Sequence, residues 1–137
     1  MVKLIKRILH RLPFKWQVKL EKKLLGKLSI NEVGLIFEVL KGKSDGIMID
    51  VGAHYGGSLQ KFMKIGWKVF AFEPNPANLE YLKKNTFGYP NVHICEKAVS
   101  NKSGIEMPLY VSDVSSGISG LSSFHESHKY SHKVKTT

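Results

Sequence analysis

The sequence predicts an α/β protein with a parallel sheet, and three observations support that fold class. Short apolar runs alternate with stretches of about ten residues that carry helical patterning. The runs at 47–51 and 68–73 each carry an acidic residue at or next to their carboxyl end, and a glycine-containing loop, 52–57, follows the first. This alternation is typical of βαβ units, in which a helix connects two parallel strands.

Local signals define the individual elements. Ser29 and Glu32 have the spacing of a capping box and predict a helix that ends near Gly42. The apolar run 47–51 predicts a strand that is buried on both faces. The other predicted elements are a short helix at 58–63, a strand at 68–73, a helix at 77–85 after Pro76, a strand at 91–95, a hairpin arm at 106–111, a serine-rich loop at 112–123 and a strand-like segment at 133–137.

The charge is concentrated at one end of the chain. The 137 residues carry a formal charge of +10, of which +8 lies in residues 1–28 and +2 in the rest. Leu4, Ile8 and neighbouring apolar residues recur at helical spacing, so residues 1–28 predict a basic amphipathic helical leader and residues 29–137 a separate domain. The leader predicts contact with an anionic membrane, which would place a cytoplasmic protein at the inner face of that membrane. A mitochondrial-type presequence and a helical extension packed on the domain are the alternative interpretations.

Composition excludes several classes of protein. Hydrophobic residues make up 42% of the chain, which is enough for a core and atypical of a disordered tail. The single cysteine, Cys95, excludes a disulfide framework and a cysteine-based zinc cluster, and we expect it to be a small core residue. No RNA-binding motif is recognised, so nucleic acid is not the expected partner.

The loop after the first strand has the position at which open α/β sheets bind nucleotides. It lacks the Lys-Ser/Thr pair of a phosphate-binding P-loop, and its glycines, Gly52 and Gly56, are not spaced as in a dinucleotide fingerprint. Asp50 would repel a pyrophosphate, but it suits a ligand that carries an ammonium group or another cation. Glycine at 52 and 56 would allow such a ligand to approach the backbone closely.

Glu73 ends the second strand, 23 residues after Asp50. A carboxylate at this point can accept hydrogen bonds from both hydroxyls of a ribose. A solvated strand-end carboxylate is the alternative interpretation, and the preceding loop favours ribose binding.

Three segments carry a resemblance to a known family. Residues 49–56 (IDVGAHYG), 72–78 (FEPNPAN) and 97–104 (KAVSNKSG) resemble, in order, the N-terminal half of an FkbM-family methyltransferase. The serine-rich stretch 115–123 is similar to a Ser-Ser-Leu element of the same family. The resemblance implies a Rossmann-like sheet of the class I methyltransferase type, S-adenosylmethionine as cofactor and a methyl acceptor that is a small molecule or a glycan.

The resemblance also implies roles for residues of this chain. Asp50 and the loop 52–56 would hold the methionine part of the cofactor, Glu73 the ribose, and Pro74, Asn75 and the backbone near Lys97 and Ala98 the adenine. It assigns no catalytic base, and we interpret His54 as a loop-packing residue. The expected cofactor-binding residues are Asp50, Gly52, Ala53, Gly56, Glu73, Pro74, Asn75 and Ala98.

The family pattern continues beyond the last residue, Thr137, into a fourth strand that lies beside the first. We therefore expect a C-terminally incomplete domain, preceded by basic amphipathic helices, with the first strand at an exposed sheet edge. The alternative to an S-adenosylmethionine-dependent O-methyltransferase is a non-catalytic remnant, or a basic module that attaches to anionic membrane or nucleic acid.

Two weaker patterns have ordinary explanations. His125, His128 and His132 with Glu126 have a spacing that could hold a metal, but their polar surroundings favour a loop without one. Trp16 and Trp67 are expected to be packing residues.

Overall fold

The computed structural model describes residues 32–137. The chain divides after Ile36, and Phe37–Thr137 form one compact unit. The predicted basic leader 1–28, Ser29 of the predicted capping box and Trp16 lie outside the described residues, so the expectations for them stay predictions. Within residues 32–137, no helix has the length and apolar character required to cross a membrane.

The described elements alternate as predicted. They are α1 (Glu32–Leu40), β1 (Ile47–Val51), α2 (Gln60–Lys64), β2 (Lys68–Phe72), α3 (Pro76–Asn85), β3 (Val92–Cys95), β4 (Glu106–Ser112), a 3-10 helix (Ser116–Ile118) and β5 (His128–Lys135). One boundary prediction was wrong, because β5 begins at His128 and not near Lys133. Cross-strand pairing of Ser112 with His128 extends this strand through residues whose composition alone predicts a loop.

Strands β1, β2 and β3 form a parallel sheet in that order. Val51 pairs with Phe72, and Phe72 pairs with Cys95, so the carboxyl ends of all three strands lie at one edge. The α/β class with a parallel sheet is confirmed, and it is consistent with a Rossmann-like fold. This common edge is where such sheets bind their ligands.

One face of the sheet packs against helices. Val69 and Ala71 of β2 are fully buried, as are Leu59 before α2 and Leu82 of α3. Both crossover helices are on this face because right-handed connections that step in the same direction along a sheet place their helices on the same side. Trp67 is buried at the start of β2, where its ring packs against Phe62 and its indole N–H donates to the Lys43 carbonyl at 2.8 Å, as expected of a packing residue.

The opposite face of β1 is exposed. The side chains of Ile47, Ile49 and Val51 are 63%, 66% and 60% exposed. The expectation that β1 is buried on both faces was therefore wrong for the described residues. An apolar run encodes a strand, but burial of its second face requires a further element on that side, and both described crossover helices lie on the other. Strand β1 lies at the edge of the described sheet, as expected.

Strands β4 and β5 form an antiparallel hairpin. The hairpin joins the segment after β3 through Ala98, whose N–H donates to the Lys135 carbonyl at 2.9 Å and whose carbonyl accepts from the Thr137 N–H at 2.9 Å. Ala98, Leu109 and Val134 form a small buried cluster at this junction. The hairpin is thereby fixed beside the carboxyl end of the sheet.

Candidate functional site

A cavity of about 190 Å³ opens at the carboxyl ends of β1 and β2. Its lining comes from the ends of these strands, the segment after β3, and the loop that follows β4. We call the first part the strand-end wall, formed by Gly52, His54, Glu73 and Pro74, and the last part the hairpin wall, formed by Gly117, Ser119, Gly120 and Leu121. Between them lie Val51, Phe72, Asn78, Lys97, Ala98, Val99 and Leu109.

The central polar group of the strand-end wall is the carboxylate of Glu73, which is only 4% exposed. Its Oε1 accepts the Asn75 backbone N–H at 2.9 Å and the Asn78 side-chain amide at 3.3 Å. Its Oε2 accepts the His54 backbone N–H at 2.8 Å. A carboxylate has about four acceptor positions, so this arrangement leaves about one position, on Oε2, for a ligand donor.

The loop conformation brings the His54 N–H to Glu73. His54 has a φ of 52°, in the left-handed region that non-glycine residues seldom occupy. Its ring stacks on Tyr55 with the ring centroids 3.7 Å apart, which agrees with its interpretation as a packing residue. His54 also lines the cavity, so its backbone links the loop to the site.

Gly52 lies where the cavity meets the end of β1. Its φ is 80°, and a Cβ built on it would meet no atom within 4 Å. The backbone at this position is therefore open to close approach by a ligand, and the role of Gly52 in cofactor binding stays a prediction.

The hairpin wall is tied to β4. Gly120 and Tyr110 exchange two backbone hydrogen bonds, of 2.8 and 3.0 Å. Leu109 beneath this wall is buried. The sequence identified 112–123 as a serine-rich loop, but only the fold shows that its glycines and Leu121 face the strand-end wall.

The structure brings half of the predicted site residues together at the cavity. Gly52, Glu73, Pro74 and Ala98 line it. The other four lie next to it in supporting positions: Asp50 accepts a hydrogen bond from the Ser58 hydroxyl, Ala53 donates its N–H to the Phe72 carbonyl, Gly56 packs against Leu82, and Asn75 caps α3 by accepting from the Ala77 N–H.

The histidines of the β5 region act within the hairpin. His128 Nδ1 accepts the Phe124 N–H at 3.3 Å, and His128 Nε2 bonds to the Ile118 carbonyl. His125 Nδ1 bonds to the Ser127 hydroxyl at 2.8 Å. No group of side chains in the described part of the chain has the arrangement of a metal site.

Comparison with models of known protein families shows the family to which the chain is related. Residues 50–137, more than half of the chain, match the family model for the methyltransferase FkbM domain.

The chain belongs to the FkbM methyltransferase family.

No curated protein and no solved structure gave a match. Every residue that lines the cavity lies within the range matched to the FkbM domain. The family resemblance stated from the sequence is confirmed, and the chain is a methyltransferase by ancestry.

Proposed function

We propose that the chain binds S-adenosylmethionine in this cavity and belongs to an enzyme that methylates a hydroxyl oxygen of a sugar, a glycan or a secondary metabolite. The observation that carries the proposal is the buried Glu73 carboxylate at the end of β2, facing a cavity within the region matched to the FkbM domain. When bound, S-adenosylmethionine supplies a methyl group attached to a positively charged sulfur.

The residues present fit the nucleoside part of this cofactor. Oε2 of Glu73 can accept one ribose hydroxyl in addition to the His54 N–H. Pro74, Val99 and Leu121 provide the apolar lining that a purine ring requires. A volume of about 190 Å³ is below the roughly 300 Å³ at which complete ligand pockets begin, so the cavity matches a part of the cofactor and not all of it.

The loop after β1 is the expected site for the rest of the cofactor. Gly52 presents open backbone at the cavity, and the Asp50 carboxylate lies at the end of the adjoining strand. The Ser58 hydroxyl holds that carboxylate. We infer that Asp50 acts on the cofactor's ammonium group from this fixed position.

Methyl transfer to a hydroxyl depends mainly on position, since the acceptor oxygen must lie about 3–3.5 Å from the methyl carbon and in line with the bond that breaks. The chain's role in the cavity would be to bind and orient, with a general base assisting removal of the hydroxyl proton. We assign no residue as that base.

Calorimetric titration of the chain with S-adenosylhomocysteine tests the proposal, with NADH as the comparison ligand. We expect saturable binding of S-adenosylhomocysteine and none of NADH. Glu73→Gln should weaken binding about 10- to 100-fold, because a hydrogen bond to a charged group contributes about 1.5–3 kcal/mol. Glu80→Gln, at an exposed position of α3, is the matched control and should bind like the wild type.

An S-adenosylhomocysteine titration without heat, combined with binding of NADH, would contradict the proposal. Equal affinity in Glu73→Gln and wild type would show that the chain binds the cofactor without using the Glu73 carboxylate.

The basic segment 1–28 supports a second proposal, which concerns location. Its charge of +8 favours attachment to an anionic membrane, at the inner face of which a cytoplasmic protein would lie. We expect cosedimentation with vesicles that contain phosphatidylglycerol and loss of it when Lys3, Lys6, Arg7 and Arg11 become glutamine. Binding to RNA in place of vesicles would contradict this proposal.

A further inference from the structure

We propose that His128 is a positioning residue for the cofactor cavity: its imidazole holds the Ile118 carbonyl and thereby fixes the hairpin wall. The effect on cofactor binding rests on the proposed function, whereas the contact itself does not. His128 was singled out in the sequence as one of three closely spaced histidines, and neither a metal site nor the methyl-transfer chemistry accounts for it.

Ile118 belongs to the stretch 117–121, which carries the hairpin wall. It lies between Gly117 and Ser119, which both line the cavity. Its carbonyl bonds to Nε2 of His128, the first residue of β5. The carbonyl of a residue within the hairpin wall is therefore bound by a side chain that stands on a regular strand.

The contacts of its two ring nitrogens define the tautomer of His128. The Phe124 N–H donates to Nδ1 at 3.3 Å, so Nδ1 carries a lone pair. The Ile118 carbonyl can only accept, so Nε2 must carry the proton. The tautomer with hydrogen on Nε2 meets both requirements, and a side chain without a donor at that position would not make this hydrogen bond.

The Phe124 ring packs beside this contact. The Phe124 ring meets the His128 ring edge-on, with centroids 4.4 Å apart. Gly120 lies close to Phe124, since a Cβ built on it would be 2.7 Å from Phe124 Cε1. The imidazole thus binds the wall at Ile118, the phenyl ring lies beside Gly120, and backbone hydrogen bonds join Gly120 to Tyr110.

Three variants separate the hydrogen bond from the packing. His128→Phe keeps the ring contact but removes both the Nε2 donor and the Nδ1 acceptor of the Phe124 N–H, so only comparison with a variant that restores the donor isolates the Ile118 hydrogen bond. His128→Gln restores a donor near the Nε2 position. His125→Phe is the matched control, because the His125 side chain is exposed in the same turn and bonds to Ser127, while its backbone carbonyl, which accepts the His128 N–H, is unchanged by the substitution.

The measurements are amide hydrogen exchange at Gly120 and Leu121 without ligand, affinity for S-adenosylhomocysteine, and the thermal midpoint. We expect His128→Phe to speed exchange and weaken binding by about five- to tenfold, the change that loss of one hydrogen bond produces. His128→Gln should recover most of both losses, and His125→Phe should match the wild type. A purely structural role for the imidazole would not be rescued by glutamine.

Wild-type exchange in His128→Phe would overturn the inference, as would equal loss in the Phe and Gln variants. If the wild type binds no S-adenosylhomocysteine, the proposed function fails, but the exchange data still decide the role of His128. If His128→Phe does not fold, His128→Asn replaces it, because its shorter side chain cannot reach Ile118. The inference then predicts faster exchange in Asn than in Gln, and equal exchange would overturn it.

Discussion

The two walls of the cavity are built by different means. The strand-end wall is centred on Glu73, a buried carboxylate that accepts three hydrogen bonds from its own chain. The hairpin wall contains no charged side chain. It is linked to the hairpin by the Gly120–Tyr110 backbone pair, by the His128 contact and by Leu121, which packs against the buried cluster at Ala98. The first wall is therefore organised by one buried carboxylate, whereas the second depends on backbone hydrogen bonds, one side-chain contact and apolar packing.

This difference separates stability from binding. A change in the strand-end wall is expected to affect both, because the same carboxylate organises the loop and faces the ligand. A change in the hairpin wall is expected to alter binding first, since none of its four residues is buried and none is a charged group that organises a loop as Glu73 does. Substitutions of decreasing severity test this division.

The largest effect is expected for Glu73→Ala. It leaves the His54 and Asn75 N–H groups and the Asn78 amide without their acceptor. Each lost bond to a charged group is worth about 1.5–3 kcal/mol, partly recovered by water, so we expect the free energy of unfolding to fall by about 3–5 kcal/mol. Urea denaturation measures this, and a loss below about 1 kcal/mol would contradict a structural role for the carboxylate.

The next effect concerns the loop that supports the strand-end wall. Gly56 has a φ of 82°, and a Cβ on it would lie 2.8 Å from Leu82 Cδ1, a side chain that is fully buried. Gly56→Ala should lower the free energy of unfolding by about 1–3 kcal/mol through strain and overpacking. Gly57→Ala is the matched control, since its Cβ would meet no atom within 4 Å. Equal midpoints for the two variants would refute the packing argument.

The same substitution in the hairpin wall should cost less. In Gly120→Ala the new Cβ would lie 2.7 Å from the Phe124 ring, but Phe124 is 64% exposed and can turn away. We expect a loss of less than about 1 kcal/mol in stability, with a larger relative change in S-adenosylhomocysteine affinity. The double variant Gly120→Ala with Phe124→Ala should remove the steric part of this loss, although it also removes the Phe124–His128 ring contact. A loss as large as that of Gly56→Ala would show that the two walls do not differ.

The smallest effect is expected for Glu38, a carboxylate of α1 that lies outside both walls. The hydrogen bond from the Lys41 ammonium to Glu38 at 2.6 Å, followed by the charge of that ammonium, lowers the pKa of the Glu38 carboxyl. A carboxyl whose pKa is lowered by folding stabilises the fold at pH values above its unfolded-state pKa. This stabilisation is lost as the pH falls through its folded-state pKa. Glu38 is fully exposed, so we expect no measurable change in thermal midpoint for Glu38→Gln at pH 7. NMR titration should show a carboxyl pKa that rises towards its ordinary value in high salt.

Local sequence determined the elements because each carries its own signal. The pattern of 68–73 identified β2, and its terminal acid identified Glu73, since strand ends of a parallel sheet meet at one edge. Burial of the second face of β1 was not predictable, because the exposure of Ile49 depends on what lies across the sheet and not on the run itself.

The sequence also could not predict roles that depend on contacts between residues far apart along the chain. The predicted ligand-approach role of Gly56 stays a prediction, and the structure adds its packing beside Leu82, 26 positions away in α3. The contact between His128 and Ile118 joins the first residue of β5 to the 3-10 helix, and a count of histidine spacing cannot supply it.

The most direct test of the central claim is a titration of ¹⁵N-labelled protein with S-adenosylhomocysteine, followed by amide chemical shifts. The account predicts saturable shifts on both walls, at Gly52, His54 and Glu73 and at Gly120 and Leu121, with little change at Glu38 of α1. Shifts confined to residues outside the cavity, or none at saturating ligand, would contradict it.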